Sequence, residues 1–330
     1  MSLKKNKQLI LITGCAGFIG YHLTLSLSKN NNYLLFGIDN LNDYYDINLK
    51  KDRLKNLKKY INNFNFFKID ISNEKAIRNN FNNYKYDYVI NLAAQAGVRY
   101  SIDNPRAYLK SNIDGFFNIL DHSNRIKVKH LIYASTSSVY GDSKDFPLKE
   151  NFHTSSPQSF YAATKKSNEI MAHAYSSIFK LPTTGLRFFT VYGPYGRPDM
   201  ALFKFTKAIL EDKTISLFNS GNHVRDFTYI DDITNAISKI IEKPKKNKLP
   251  YQIFNIGSGD PKKLTLFLSR IEKELNKKSK KIMKGFQLGD VKKTHANIDA
   301  LSKVTSFKPK NNINSGIKKF IDWYKKYYSK

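Results

Sequence analysis

The sequence predicts an α/β fold, a doubly wound parallel sheet with a smaller C-terminal domain. Three observations carry this reading. Short apolar runs alternate with helical stretches through the first half of the chain. The first run ends in a glycine-rich turn that opens a helix, and the second ends in an acidic residue.

In chain order, the strands expected are Leu9–Thr13, Tyr33–Ile38, Asn65–Ile69, Tyr88–Asn91 and Leu131–Ser135. Between them, Phe18–Lys29 and Glu74–Asn83 carry helical spacing. Such sheets bind ligands at the carboxyl ends of their strands, where the strand order switches. Beyond about residue 190 the pattern reads as irregular. Gly193-Pro194, Gly196-Arg197-Pro198 and Ser220-Gly221-Asn222 are turn signals, Lys243–Leu249 is a charged surface connection, and Ile253–Ile256 is a further short strand.

Composition excludes several classes. The chain has 330 residues, 41% hydrophobic and 14% aromatic, an ordinary globular balance. Its formal charge of +28 fits a nucleic-acid binder. The lysines are scattered, however, and travel with many asparagines and isoleucines, a pattern of compositional drift, so no nucleic-acid partner is expected. A basic surface still attracts an anionic small substrate. One cysteine, Cys15, excludes an internal disulfide and fits a reducing, cytoplasmic setting. The start MSLKKNKQLILITG leads straight into the glycine turn and reads as a buried strand rather than a signal peptide. No run of 18 apolar residues predicts a membrane span. The dispersed histidines, without HExxH or a cysteine partner, predict no metal site.

Ile10–Gly20 (ILITGCAGFIG) is a strand, a turn and a helix start. Gly14 and Gly17 let the backbone turn tightly and approach a pyrophosphate at the helix N-terminus, and Gly20 lets the helix pack on the sheet. Phe18 and Ile19 open that helix. Asp39 follows about 20 residues on, the spacing at which a carboxylate takes the adenosine ribose hydroxyls and repels a 2′-phosphate. The expectation is therefore a Rossmann-type domain binding NAD. Asp70 and Ile71, after the third strand, are placed at the adenine edge. An ordinary βα turn is the competing reading. The expected division is 1–190 for the NAD-binding domain, with the chain returning to it at about 224–258, and 191–330 mainly for the substrate.

Tyr161 and Lys165 lie four apart in SFYAATKK, on one helix face. Tyrosine titrates near pH ~10, and a nearby ammonium with the positive nicotinamide ring lowers that value. Tyr161 then serves as the base for a substrate hydroxyl while NAD takes the hydride. Before it, ASTSSVYG at Ala134–Gly141 sets four hydroxyls at a strand end, one of which can share the same substrate oxygen.

GCAGFIG, ASTSSVYG and YAATK in this order resemble the extended short-chain dehydrogenase/reductase family of nucleotide-sugar epimerases, dehydratases and decarboxylases. The likeness runs through Asn91–Arg99, Arg187–Pro194, Val224–Asp232 and Gly289–Val291. GIDNLNDYYDINLKKDRL, AAQAGVRYS and GPYGRPDMA resemble its UDP-glucuronate 4-epimerase branch. The resemblance makes Thr136, Tyr161 and Lys165 catalytic, and adds Leu92, Ala93 and Ala94 to the cofactor contacts. It puts Arg225 at the nucleotide diphosphate and Arg99, Arg197 and Asp290 on the UDP side. It also implies a homodimer, through helices around Asp103–His122 and Gln158–Tyr175.

Dehydratases of the family resemble STDEVYG here, and decarboxylases TSEVYG. This chain has Ser137 and Ser138 where the dehydratases carry acids, which disfavours dehydration. A 4-epimerase acting on UDP-glucuronate must hold a β-keto acid without losing CO₂. Neutral hydroxyls donate to its carboxylate without repulsion, which makes Ser137, Ser138 and Thr190 the expected contacts. Backbone capping by the two serines is the plain alternative. A 4-epimerase for UDP-glucose or a UDP-N-acetylhexosamine (or its uronate), and a non-catalytic dinucleotide-binding regulator, are the other readings left open.

Overall fold

In the computed structural model, residues 7–62, 64–287 and 289–328 are described. The basic start at residues 1–6 lies outside them. Seven strands form one parallel sheet: β1 (Gln8–Thr13), β2 (Tyr33–Asp39), β3 (Asn65–Lys68), β4 (Tyr88–Asn91), β5 (His130–Thr136), β6 (Thr183–Phe188) and β7 (Tyr251–Ile256). Their order across the sheet is β7-β6-β5-β4-β1-β2-β3. The order reverses between β1 and β4, so the two chain segments leaving their carboxyl ends part and open a crevice.

Sequence explains the pairing. β1 and β4 are apolar runs buried through most of their length, as strands covered on both faces must be. At the crevice Thr13 Oγ1 donates to Asn91 Oδ1 at 2.6 Å and accepts from Ala93 N at 3.1 Å, which ties the two strand ends together. One apolar cluster holds Ile10, Ile12, Ile90 and Ile132 on one face of the sheet; the other holds Leu11, Val89, Leu131 and Phe116.

The irregular reading beyond residue 190 does not hold. Helices occupy Ala201–Leu210, Ile230–Ile240, Leu264–Leu275, Asp299–Thr305 and Ile313–Tyr328. Their apolar residues do recur at helical spacing, as Ile230, Ile233, Ile237 and Ile240 show, so the turn signals between them carry less weight than that reading gives them. Of residues 224–258, Tyr251–Ile256 joins the main sheet. Phe227–Tyr229 pairs instead with Thr190–Tyr192, and Val224–Arg225 with Lys262–Lys263. Among the described residues no helix is long and apolar enough to cross a membrane.

Candidate active site

A cavity of about 930 Å³ runs along the carboxyl ends of the strands. The glycine turn forms one end of it. Gly14 has φ +70°, and a Cβ there would stand 2.8 Å from Ala93 N. A Cβ on Gly20 would overlap the Gly14 carbonyl oxygen, so the helix Phe18–Leu27 sits directly on the turn. Gly17 caps that helix with no side-chain acceptor, leaving its first N–H groups aimed at the cavity's edge. Asp39, at the end of β2, accepts from Ala16 N at 3.1 Å and Leu41 N at 2.8 Å. Burial pushes its carboxyl up, and those backbone donors with Lys50 and Arg53 oppose the rise. Asp70 is fixed by Ser72 N at 2.9 Å and Ser72 Oγ at 2.7 Å. Burial works against its charge, but these bonds outweigh it and hold the carboxyl below the usual range.

The helix Phe160–Phe179 carries the other end. Ser159 caps it by accepting from Ala162 N at 3.1 Å. Its buried face is polar, with Lys165, Asn168 and Glu169 where packing alone would favour leucine. Each has a partner. Lys165 Nζ donates to Ala134 O at 2.9 Å, and Asn168 Nδ2 to Asn112 O at 2.6 Å. Glu169 takes Arg187 at 2.8 and 2.9 Å and Ser135 Oγ at 2.6 Å. The hydroxyl row is therefore divided. Ser135 is committed to Glu169 beneath the site, while Thr136 Oγ1 accepts from Ser138 N and donates to Ser138 Oγ, both at 3.2 Å. The cap on the turn Ser137–Tyr140 thus comes from Thr136, not from the serines.

Around Tyr161 the structure adds a cation that the sequence reading does not name there. Burial pushes its phenol up, and the opposing influences are the charge of Arg197 and a hydrogen bond with Thr136. Lys165, lowered to about 8 by burial, spends its ammonium on the β5 carbonyl. Arg197 pairs with Asp199 through Nε at 3.0 Å and through Nη2.

At the far end Arg225 Nη2 meets Asp290 Oδ1 at 2.9 Å, and Arg99 lies 3.8 Å from Asp290 Oδ2. His223 and Phe218 stand beside them. The same cavity holds Gly14, Gly17, Phe18, Ile19 and Gly20, then Asp39, Asp70, Ile71, Leu92, Ala93 and Ala94. It also holds Thr136, Ser137, Ser138, Tyr161, Lys165 and Thr190, with Arg99, Arg197, Arg225 and Asp290. Sequence reasoning passed over Tyr44, Lys50, Asp199, Lys204, Phe218 and His223, which line it too.

A family model described as the NAD dependent epimerase/dehydratase family matches residues 10–257. The chain belongs to this family. It is 51% identical over 335 residues to "Protein CapI" of Staphylococcus aureus, covering 97% of this chain and 99% of that one. To a "Probable UDP-glucuronate 4-epimerase" of Rhizobium meliloti it is 39% identical, covering 96% and 97%. The crystal structure of UDP-glucuronic acid 4-epimerase from Bacillus cereus, in complex with UDP-glucuronic acid and NAD, superposes with a TM-score of 0.90. That pair is 34% identical, covering 97% of this chain and 100% of the other. The cofactor is NAD, and the residues fit it: a Cβ on Gly14 or Gly20 would run into the backbone of Ala93 or Gly14, so the turn stays bare enough for a pyrophosphate to approach, and the Asp39 carboxylate is bonded to Ala16 N of the same turn.

Proposed function

We propose that this family member is a UDP-sugar 4-epimerase acting on UDP-glucuronate and UDP-galacturonate. The observation that carries the reading is the acid-free strand end. Thr136, Ser137 and Ser138 line the same cavity as Tyr161 and Thr190, and Ser137 and Ser138 stand where the resembled dehydratases carry acids.

When bound, NAD supplies a hydride acceptor that takes hydrogen from C4 of the sugar and gives it back. The chain's residues do the rest. Tyr161 accepts the C4 hydroxyl proton as the C4–H bond breaks, which makes a 4-keto sugar, and it returns the proton when that carbonyl is reduced. Thr136 hydrogen-bonds the same oxygen and fixes its direction. Lys165, anchored on Ala134 O, orients the cofactor's ribose and supports the phenolate. The sugar turns between the two half-reactions, so its grip must be weaker than the grip on UDP. Arg225 and Arg99 hold the diphosphate, with Asp290 keeping the two guanidinium groups oriented.

The 4-keto uronate is a β-keto acid, and loss of CO₂ is easiest when its carboxylate stands perpendicular to the carbonyl plane. Ser137, Ser138 and Thr190 are assigned to hold the carboxylate away from that geometry as neutral donors. Residues 1–190 with the β7 return form the NAD-binding part, and 191–330 mainly the sugar-nucleotide part.

A homodimer is proposed as well. Phe160, Ile170 and Ile178 lie on one stripe of the helix Phe160–Phe179 and are exposed, as are Leu109 and Phe117 on the neighbouring segment. Light scattering in solution is expected to give twice the chain mass.

Incubation of the purified protein with UDP-glucuronate and NAD, followed by NMR, tests the function. UDP-galacturonate is the expected product. Dominant release of CO₂ with a pentose product, or turnover of neutral UDP-hexoses alone, overturns the reading.

A further inference from the structure

The segment after Asp39 crosses the cavity. Tyr44, five residues on, donates its hydroxyl to Asp199 Oδ2 at 3.2 Å. Asp199 holds Arg197 through two nitrogens, and the guanidinium lies 6.0 Å over the Tyr44 ring. Tyr44 is itself fixed. Its ring packs on Tyr100 at 4.9 Å, and Gly97, at φ +105°, leaves its hydroxyl the space that a Cβ would fill. The aromatic row continues from Tyr100 to Tyr108 at 6.2 Å and from Tyr108 to Tyr161 at 6.1 Å.

We propose that Tyr44, acting through Asp199, is a positioning residue for Arg197. It holds the guanidinium at the wall of the cavity that Tyr161 also lines, so a loop rooted at the Asp39 end of the cavity bears on the acid–base group at the other. Its importance for turnover rests on the 4-epimerase reading, in which Tyr161 is the base.

The groups around Tyr161 support the assignment. Lys165 on its own helix is bonded to Ala134 O, Tyr108 packs edge-on, and Thr136 offers a hydroxyl. Burial raises the phenol, and Arg197 is the first influence to oppose it. Asp199 resists its own burial through Arg197 and Tyr44, and Lys204 adds a further positive charge beside this pair.

Two roles for Asp199 give opposite signs. If it only cancels charge, Asp199→Asn leaves Arg197 more positive and lowers the Tyr161 phenol. If it positions, Asp199→Asn lets the guanidinium swing to solvent and the phenol rises. The test is an NMR titration of ¹³C-labelled tyrosine in the NAD complex, with the Tyr161 signal assigned by its loss in Tyr161→Phe. Loss of one such hydrogen bond is expected to move the titration up by about half to one pH unit in Tyr44→Phe. The shift should be larger in Asp199→Asn, and Tyr44→Phe should add nothing to Arg197→Ala. A downward shift in Asp199→Asn, or an unmoved titration in both variants, overturns the proposal. The titration needs no turnover, so a wrong substrate assignment shows separately, as wild-type protein inactive on UDP-glucuronate. With active wild type, kcat of Tyr44→Phe is expected to fall about threefold to tenfold below pH 8 with KM little changed.

Discussion

Replacing Glu169 with glutamine removes a charge and almost no volume. The carboxylate is 1% exposed and accepts three bonds of 2.6 to 2.9 Å from Arg187 and Ser135. Arg187, 2% exposed, also donates to the Tyr140 hydroxyl at 2.9 Å and the Glu150 carbonyl at 3.0 Å, so it cannot turn out to solvent. Burial alone would raise the Glu169 carboxyl, but the Arg187 bonds outweigh it and hold the group ionised. Glutamine accepts only at its carbonyl oxygen, and its amide would meet an Arg187 N–H donor to donor. Breaking one side of a buried ion pair costs about 3–5 kcal/mol. One charge-assisted bond lost outright, at about 1.5–3 kcal/mol, together with a weakened second one is consistent with the lower part of that range. The double variant Glu169→Leu with Arg187→Met leaves no buried guanidinium unpaired, frees only the partly exposed Lys166, and is expected to be the more stable of the two. Urea unfolding followed by tryptophan fluorescence and far-UV circular dichroism measures both. A loss below about 1 kcal/mol in Glu169→Gln refutes the reasoning.

Gly20→Ala puts a methyl into the Gly14 carbonyl and should weaken NAD binding about tenfold to hundredfold by calorimetry, from about 1–3 kcal/mol of overpacking; wild-type affinity would contradict the cradle. Arg225→Ala should weaken UDP binding by a similar factor, read by competition, since a hydrogen bond to a charged group contributes about 1.5–3 kcal/mol. Ser138→Glu sets a like charge beside a sugar carboxylate and should reduce kcat/KM on UDP-glucuronate at least about tenfold while sparing neutral sugars. Unchanged activity would remove Ser138 from carboxylate handling. Burial lowers His22 and His130 from 6.5 to about 4. Between those values the unfolded chain binds more protons, so stability present above pH 6.5 is lost on acidification, about 2 kcal/mol per histidine at pH 5. Melting temperatures that stay flat from pH 7 to pH 5 would contradict this.

The nucleotide half was legible because its signals are local. A strand, a glycine turn and a helix lie within Gln8–Leu27, and the spacing to Asp39 is set by one βα unit. β6 escaped notice because its six buried residues, TTGLRF, mix threonine, glycine and arginine. Those polar groups are satisfied by other segments, as when Ser176 meets Thr183 and Glu169 meets Arg187, and no local pattern announces such partners. At the site, Tyr161 and Lys165 could be singled out from spacing, and Thr136 from the family resemblance. Lys50 could not, because it shares the helix Ile47–Tyr60 with four other lysines, and only the fold turns it inward to Asn42. The expectation for Tyr161 named only the cation on its own helix and the nicotinamide ring, not Arg197. The ammonium turns to the β5 carbonyl, and the opposing cation comes from a loop some 30 residues further on.

Arg53 offers a last lesson. Fully buried, it donates to the carbonyl of Ala16 in the glycine turn at 2.9 Å and to that of Tyr195 at 2.7 Å. Both acceptors are main-chain oxygens, which every amino acid possesses. The strut therefore reads distance and ignores identity at each end. Apart from Arg197 and Asp199, side chains in the 195–200 loop can be exchanged during divergence while the loop keeps its station above the cofactor turn. Selectivity for the sugar can thus drift without the enzyme having to reinvent its frame.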